Sequence, residues 1–484
     1  MGGRTSLVVI FGFLVAGCSV GPNYHRPAMA VPEAFRAPTP LSARQAESLA
    51  DLRWFEVFKD EQLQTLIRTA LAQNYDLRDA VARVDAARAG LGNVRSAQFL
   101  QVGASGAVNF ERFSRDGATP VPSAILPSQN RNWGEAFLNL LSFEVDLWGR
   151  LRRSTEAARA NLLSADETRK AVITTLVSDV ATSYFNLREL ATELDISRRT
   201  LATREASLEL IKRRHKGGVA TLIELRQGEQ LVYTASETIP ALLQQIEQAE
   251  NAMSLLLGKN PGEITHGPSL IVAEVQIATI PQAATPNQTP SVPAGLPSAL
   301  LERRPDIRAA EQNLIAANAQ IGVAKAAYFP QVSLSGFLGG QSNQLSNLFS
   351  GPSGVWTFTP QVTQPIFTAG RLKSNVRLAE ALHESALVQY EKAIQTAFME
   401  VSDALIAHQR VRESRVQQDL LVAALQDRTR LAYIRYRGGV DTLLNALDAD
   451  RDQFQAELNL AQIRRSEFLT VVQLYKALGG GWQQ

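Results

Sequence analysis

Arg214-His215-Lys216-Gly217-Gly218-Val219-Ala220-Thr221-Leu222 and Arg435-Tyr436-Arg437-Gly438-Gly439-Val440-Asp441-Thr442-Leu443 are two renderings of one phrase, 221 positions apart. Each follows a long proline-free segment and precedes another helix-forming run. A Gly pair between helical runs is a stop and a turn, because Gly enters the left-handed region that other residues avoid. Each phrase therefore predicts the tip of a long helical hairpin. A single one could be no more than a helix cap. Two, with Val, Thr and Leu repeated after the glycines, indicate that the tip itself is a working surface.

The segments on either side set the architecture. Residues 150–214 contain no Pro and no Gly, which predicts a helix on the order of 100 Å long. Ile173, Val180, Leu187, Leu194, Leu201 and Leu208 recur every seven residues, the spacing of a left-handed supercoil. The other core position is polar (Ser183, Ser197, Arg204). A narrow apolar seam with wet remaining faces suits a wall one helix thick with water beside it. After the first tip the chain returns helically from Thr221 to Leu257, where Gly258 and Asn260-Pro261-Gly262 stop it.

Upstream of the long helix the period changes. Val102, Ala104, Gly106, Val108 and Phe110 alternate with Gln101, Ser105, Asn109 and Glu111, a strand with one apolar and one polar face. A second strand runs from Trp133 to about Leu147. Ala136, Leu138 and Leu140 have one phase and Leu141, Phe143, Val145 and Leu147 the other, so a bulge is expected near Leu140. One continuous helix is expected before these strands, from Asp60 to about Ala97.

The whole unit then recurs. Asp76-Leu77-Arg78-Asp79-Ala80 matches Asp306-Ile307-Arg308-Ala309-Ala310 at an offset of 230, as Phe99 and Gln101 match Phe329 and Gln331. Gly149-Arg150-Leu151 matches Gly370-Arg371-Leu372 at 221. A third strand carries Val332, Leu334, Gly336 and Leu338, and a fourth carries Trp356, Phe358, Val362 and Ile366. The expected organisation has a first repeat over 54–264, with strand hairpin 101–147, long helix 150–214 and tip 215–221. A connector at 265–297 leads to a second repeat over 298–484, with strand hairpin 331–368, long helix 371–435 and tip 436–442.

Composition narrows the class. Of 484 residues 45% are hydrophobic and 20% charged, and the net charge is only +2, which gives no support to nucleic-acid binding. Five His and one Cys leave little for a metal site or a disulfide framework. The one Cys stands at Val15-Ala16-Gly17-Cys18, after the apolar run Leu7–Val15. That run is too short to span a bilayer and fits a signal peptide over 1–17. Small residues before Cys18 resemble a bacterial lipoprotein processing site, with Cys18 acylated; Ser19 beside it is the pattern of outer-membrane sorting. Residues 18–53 read as an extended, exposed, lipid-anchored arm.

Four amphipathic strands following a secretion signal read as transmembrane strands. Every backbone group of such a strand must be paired, so the sheet must close. Four strands are too few to close, since small barrels need about eight. The barrel must then be shared between chains. With strand hairpins at one end and helix tips at the other, the expected molecule is a long tube with one end in a membrane.

The sequence resembles the outer membrane factor, or TolC-like, family, in its lipoprotein branch of tripartite efflux systems. The resemblance lies in Cys18 with Gly21-Pro22-Asn23-Tyr24 and Arg26-Pro27, and in Trp54, Phe58, Asp60, Leu63 and Leu66. It continues through Asn74 to Ala82, Leu301-Glu302-Arg303-Arg304-Pro305-Asp306-Ile307-Arg308-Ala309-Ala310-Glu311, Ala326-Ala327-Tyr328-Phe329-Pro330 and the two tips. It implies a mixed α and β membrane protein with an internal two-fold repeat. Three chains would form a twelve-stranded β-barrel in the outer membrane, continued by a long periplasmic α-helical coiled-coil barrel. It implies a passive exit duct for drugs and toxic compounds. The implied partners are a periplasmic membrane-fusion adaptor, an inner-membrane pump of the proton-driven kind and outer-membrane lipid.

Carried over by position, the adaptor-docking residues are Gly217, Gly218, Val219, Thr221 and Leu222, with Gly438, Gly439, Val440, Thr442 and Leu443. The family's pore constriction falls on the second tip. There Asp441, Asn445, Asp448 and Asp452 share one stripe of a helix. Rings of such acids in a trimer would repel, raise one another's pKa and attract cations. The first tip has Ala220, Glu224, Gln227 and Leu231 at those positions. No nucleotide-binding loop, zinc-protease motif or nucleophile elbow is present, so no enzyme, resident metal or cofactor is expected beyond a covalent lipid on Cys18. A duct for type I protein export or for metal efflux is the alternative with the same fold.

Overall fold

The computed structural model describes residues 19–36, 48–114, 129–265 and 297–482. The signal peptide, Cys18 and nearly all of the 265–297 connector lie outside them. The main elements are α1 (Glu61–Gln73), α2 (Tyr75–Ser96), β1 (Val102–Arg112), β2 (Asn130–Val145), α3 (Arg150–Lys216) and α4 (Leu222–Leu256). The second series is α5 (Pro305–Ala326), β3 (Gln331–Ser342), β4 (Gly354–Thr363), α6 (Arg371–Arg437) and α7 (Leu443–Ala477). The two long helices have 67 residues each and the two returning helices 35 each. Among the described residues no helix is long and apolar enough to cross a membrane.

The two repeats are not two packing units. One unit comprises 19–28, Arg83–Ala165 and Ala310–Tyr390; the other comprises Met29–Ala82, Asp166–Ala309 and Glu391–Gln484. Each therefore draws on both repeats. The reason in the first unit is the sheet, in which the hairpins of both repeats pair as one antiparallel array in the order β1-β2-β3-β4. The β2–β3 register slips by one residue between Leu140 and Phe143, where the phase of β2 reverses. Val102, Val108, Phe110, Leu138, Leu338, Trp356, Phe358 and Val362 are all exposed on one face. Asn139 donates to Ser105 Oγ at 2.9 Å on the other, where Phe137 and Phe337 also meet, with ring centroids 4.8 Å apart. The fourth strand ends at Thr363, not beyond Ile366. Its last partner is Gln331, so Ile366 and Phe367 stand free, 91% and 88% exposed.

In the same unit the start of the N-terminal arm, residues 19–26, is bonded to the fold rather than free of it. Val20 N–H donates to Trp148 O at 3.0 Å, and Arg153 donates to Asn23 Oδ1 at 2.7 Å. Tyr24 and Arg26 both bind Glu311, the arginine through Nε at 2.7 Å and Nη2 at 2.5 Å. A Cβ on Gly21 would lie 2.5 Å from Gly322 Cα, so backbone meets backbone there. Pro and Ala content alone hid these contacts, because their partners lie far along the chain, 130 positions apart for Asn23–Arg153 and 285 for Arg26–Glu311. Helices α3 and α5 meet through Ala157, Ala160, Ala316 and Ala319, small residues that let helices approach closely.

In the second unit the expected Asp60–Ala97 helix is broken. Asn74 is extended, at φ −60° and ψ 136°. Its Oδ1 accepts from Leu77 N–H at 3.0 Å, starting α2 afresh. Arg304, its counterpart in the second repeat, is also extended, and Pro305 opens α5. Arg304 is buried and donates to Asp306, Glu400 and Ala477 O. Asp60 caps α1 and receives Tyr184 Oη at 2.9 Å and Arg188 at 3.2 Å. The heptad residues of α3 are buried, except Leu201, which is half-buried.

Candidate functional site at the paired helix tips

Helices α3 and α6 end alike. Gly218 and Gly439 take φ of +73° and +74°. Gly218 N–H donates to His215 O and Val219 N–H to Arg214 O; Gly439 and Val440 repeat this with Tyr436 O and Arg435 O. This pair of bonds satisfies carbonyls a helix end would otherwise leave open, and it needs a left-handed residue. Only the second Gly of each pair is so constrained. Gly217 and Gly438 keep negative φ, and an added Cβ would rest 3.4–3.5 Å from the nearest carbonyl oxygen, in ordinary van der Waals contact. Their lack of a side chain is thus not demanded by their own chain.

The two restarts differ. Thr221 and Glu224 form a capping box at the start of α4. Thr442 makes no side-chain cap bond; its own N–H donates to Asp441 Oδ1 at 2.8 Å. Beneath the tips Ile211, Tyr436, Leu443, Ala446 and Leu447 form a small core with Leu225, Leu231, Ala432 and Tyr433 packed on it. Arg214 lies over the Tyr436 ring at 4.7 Å. Val219 and Val440, each 68% exposed, project outward with Leu222 and Ile223. Leu443, expected as a docking contact, is 1% exposed and belongs to the core; its exposed neighbour is Leu444. Periodicity alone could not separate adjacent leucines at the first turn of a helix.

The acidic stripe is compensated within one chain. Asp441 receives Arg435 Nε at 2.9 Å and Asn445 Nδ2 at 2.7 Å. Asp448 pairs with Arg451 at 3.3 Å. Asp452 pairs with Arg428 at 2.8 Å and with Arg451 at 3.1 Å. The hydrogen bond from Arg435 holds the Asp441 carboxyl below its usual range, and Arg428 does the same for Asp452. Inside one chain these two carboxyls thus answer to arginines; the mutual repulsion expected above concerns rings of three chains. Two of the three arginines come from α6, which a reading along α7 alone does not see.

Behind the stripe lies a buried pair that sequence reasoning missed. Arg204 Nε meets Asp450 Oδ2 at 2.6 Å, with side chains 2% and 10% exposed. Arg204 also donates to Leu231 O at 3.1 Å and lies over the Phe454 ring at 4.9 Å. It ties α3, α4 and α7 together. Its signal was the charged residue at a seam position of α3. Glu457 is a second node, receiving Arg199, Gln426 and Gln453. Higher on α3, Glu189 and Glu193 are buried together, contacted by Arg465 and Gln462. Burial is the main cause that pushes the Glu189 carboxyl up to about 7. Among the described residues no three His, Cys, Asp or Glu side chains gather as a metal site.

The sequence matches the family model described as outer membrane efflux protein over residues 66–259 and 296–480. It is 37% identical to the toluene efflux pump outer membrane protein TtgF of Pseudomonas putida, covering 98% of this chain and 96% of that protein. It is 35% identical to the cation efflux system protein CusC of Escherichia coli O6:H1, covering 97% of each. The fold superposes on the crystal structure of the open state of the Neisseria gonorrhoeae MtrE outer membrane channel with a TM-score of 0.83. That match has 32% identity and covers 96% of this chain and 99% of MtrE. With its duplicated helix–hairpin–helix unit, its four-stranded sheet and its twin tips, the chain belongs to the outer membrane efflux protein family.

Proposed function

We propose that this chain is the outer-membrane exit duct of a tripartite efflux pump, passively conducting small molecules such as drugs and toxic compounds out of the cell. One observation carries the reading. The sheet is apolar along one face and mostly polar along the other, and among the described residues the outer sides of its edge strands β1 and β4 have no partner strand. Such edges are not tolerated in hydrocarbon, and four strands cannot close alone. Three chains supply twelve strands, and their long helices line a periplasmic passage. Cys18, freed by removal of 1–17, carries the lipid that anchors each chain. The duct catalyses no reaction and holds no cofactor.

The tips meet a periplasmic adaptor. Gly217 and Gly438 favour this, because nothing in their own chain requires them to be glycine, and a close-packed partner would. Val219, Val440 and Leu222 provide exposed apolar contact beside them. Asp441, Asn445, Asp448 and Asp452 narrow the entrance, held in place by Arg435, Arg428 and Arg451. The pump behind the adaptor is of the proton-driven kind. A metal-efflux duct is the second reading, favoured by the similarity to CusC, which is named for cations. Near-equal identity to proteins named for toluene and for cations fits a duct that does not select its cargo.

Purified protein in planar bilayers tests conduction. A deletion strain challenged with dyes, detergents, organic solvents and copper or silver salts tests cargo. Absence of conductance with unchanged susceptibility would refute the duct. Sensitivity to metal salts alone would select the second reading. Palmitate labelling that persists in Cys18→Ser would refute the anchor.

A further inference from the structure

We propose that β1 of one chain pairs antiparallel with β4 of a second copy in a single register, with Val102 opposite Ile366, Gly106 opposite Val362 and Phe110 opposite Phe358. This rests on the multichain barrel proposed above and specifies its seam. The template is inside the chain. The β2–β3 ladder joins the last strand of one hairpin to the first strand of the next, and a junction from β4 to β1 of another copy joins the same kinds of strand.

The repeat fixes the transfer. Strand β3 follows β1 by 230 positions, as Phe329 follows Phe99. In the upper part of the sheet β4 follows β2 by 222. Ala104 pairs with Leu138, and their equivalents Leu334 and Pro360 pair with each other. At the foot of the sheet the offset is 221, set by Gly149 and Gly370. The one-residue difference is the β2 bulge, which β4 lacks.

Two parts of the template can then be carried over separately. Above the bulge, Leu138–Leu338 and Leu140–Gly336 become Pro360–Val108 and Val362–Gly106. Below it, Val145–Val332 becomes Ile366–Val102. Transferred with different offsets, they fall on one unbroken register. The bulge residue that separates them in β2–β3 is cancelled by its absence from β4.

The pleat provides an independent check. Opposed residues in a ladder share a face. This register sets Val102 against Ile366 and Phe110 against Phe358 on the apolar face. It sets Asn109 against Thr359 and Ser105 against Thr363 on the polar one. A slip of one residue would bring apolar side chains onto the wet face along the whole seam. The register also accounts for Ile366, 91% exposed just past the end of β4. Pairing with β1 extends β4 to that residue, just as β2 runs on to Val145 beyond its β1 partners by pairing with β3.

Cysteine cross-linking tests the register, since Cys18 is the chain's one native cysteine. Asn109→Cys with Thr359→Cys, in full-length protein oxidised in the outer membrane, should give reducible dimers and trimers on denaturing gels. Asn109→Cys with Thr357→Cys or with Gln361→Cys should cross-link about tenfold less. Directly opposed Cβ atoms lie about 4.5–5.5 Å apart and diagonal ones about 7–8 Å, against the roughly 4 Å of a disulfide. Ser335→Cys with Thr359→Cys, opposed within the chain, serves as the folding control through its intramolecular link. A slipped pair that links as well as the matched pair overturns the register. A folded trimer with no link between copies also overturns it, while leaving the duct intact. A protein that extracts as a monomer overturns both.

Discussion

Replacing Arg204 by Met should be among the costliest single changes near the tips. The guanidinium and the Asp450 carboxylate are 2% and 10% exposed and 2.6 Å apart. Removing one member leaves the other buried without its counter-charge, which costs about 3–5 kcal/mol. The Leu231 O and Phe454 ring contacts go with it. At roughly 2 °C per kcal/mol for a large domain, the melting midpoint should fall by about 6–10 °C. Asp450→Asn should cost a similar amount, because it strands the arginine instead. The double variant Arg204→Met with Asp450→Leu should recover most of the loss, since an apolar replacement of a buried pair is often neutral. A pH signature follows. Burial already raises the Asp450 carboxyl despite Arg204, and removing Arg204 raises it further. A carboxyl raised in the folded state disfavours folding above its unfolded pKa and is relieved as pH falls. The deficit of Arg204→Met should therefore shrink between pH 8 and pH 5. The assay is circular dichroism at 222 nm in detergent, at one scan rate. A variant melting within a degree of wild type, or a double variant no better than the singles, would refute the reasoning.

Glu189 should make the wild-type protein less stable as pH rises from about 5 to 7. Its buried carboxyl keeps a proton to about 7, above the ordinary carboxylate range, and the unfolded state has given it up. Glu189→Gln should flatten that slope in urea midpoints, and an unchanged slope would assign the effect elsewhere. Gly218→Val forces a β-branched residue to φ +73° and should cost about 1–3 kcal/mol, whereas Gly217→Ala should fold normally; comparing their urea midpoints separates the two roles. If the tip docks an adaptor, Gly217→Ala should still reduce efflux in a susceptibility assay, and full activity would remove the docking role from that residue. Asp441→Asn loosens an exposed arginine, Arg435, and keeps the shape of the half-buried side chain, so melting should barely move while single-channel conductance and cation block do. Unaltered conductance would take Asp441 out of the gate.

Much of the fold is legible in the chain because its signals are local. Alternation over about ten residues marks a strand with two unlike faces, and the phase change in β2 marks its bulge. A sixty-residue stretch without Pro or Gly has no reason to stop being helical until Gly217 and Gly218. The duplication supplies the rest, since a strand seen once is weak evidence and a strand seen again beside the same neighbours is strong. What stayed hidden depends on which elements lie side by side. Asp441, Asp448 and Asp452 form an acidic stripe when α7 is read alone. They become ion pairs once α6 brings Arg435 and Arg428 to them and Arg451 folds back. Leu443 and Leu444 are indistinguishable by period, yet packing buries the first and exposes the second. The arm at 19–26 reads as loose chain until Glu311 and Trp148 arrive from distant segments. Period, caps and repeats are properties of neighbouring residues and so are fixed by the sequence itself. The partner of a charge and the depth of a side chain depend on which segments pack alongside, whether across one turn as in Arg428–Asp452 or from a distant repeat as in Arg26–Glu311, and only the tertiary structure decides them.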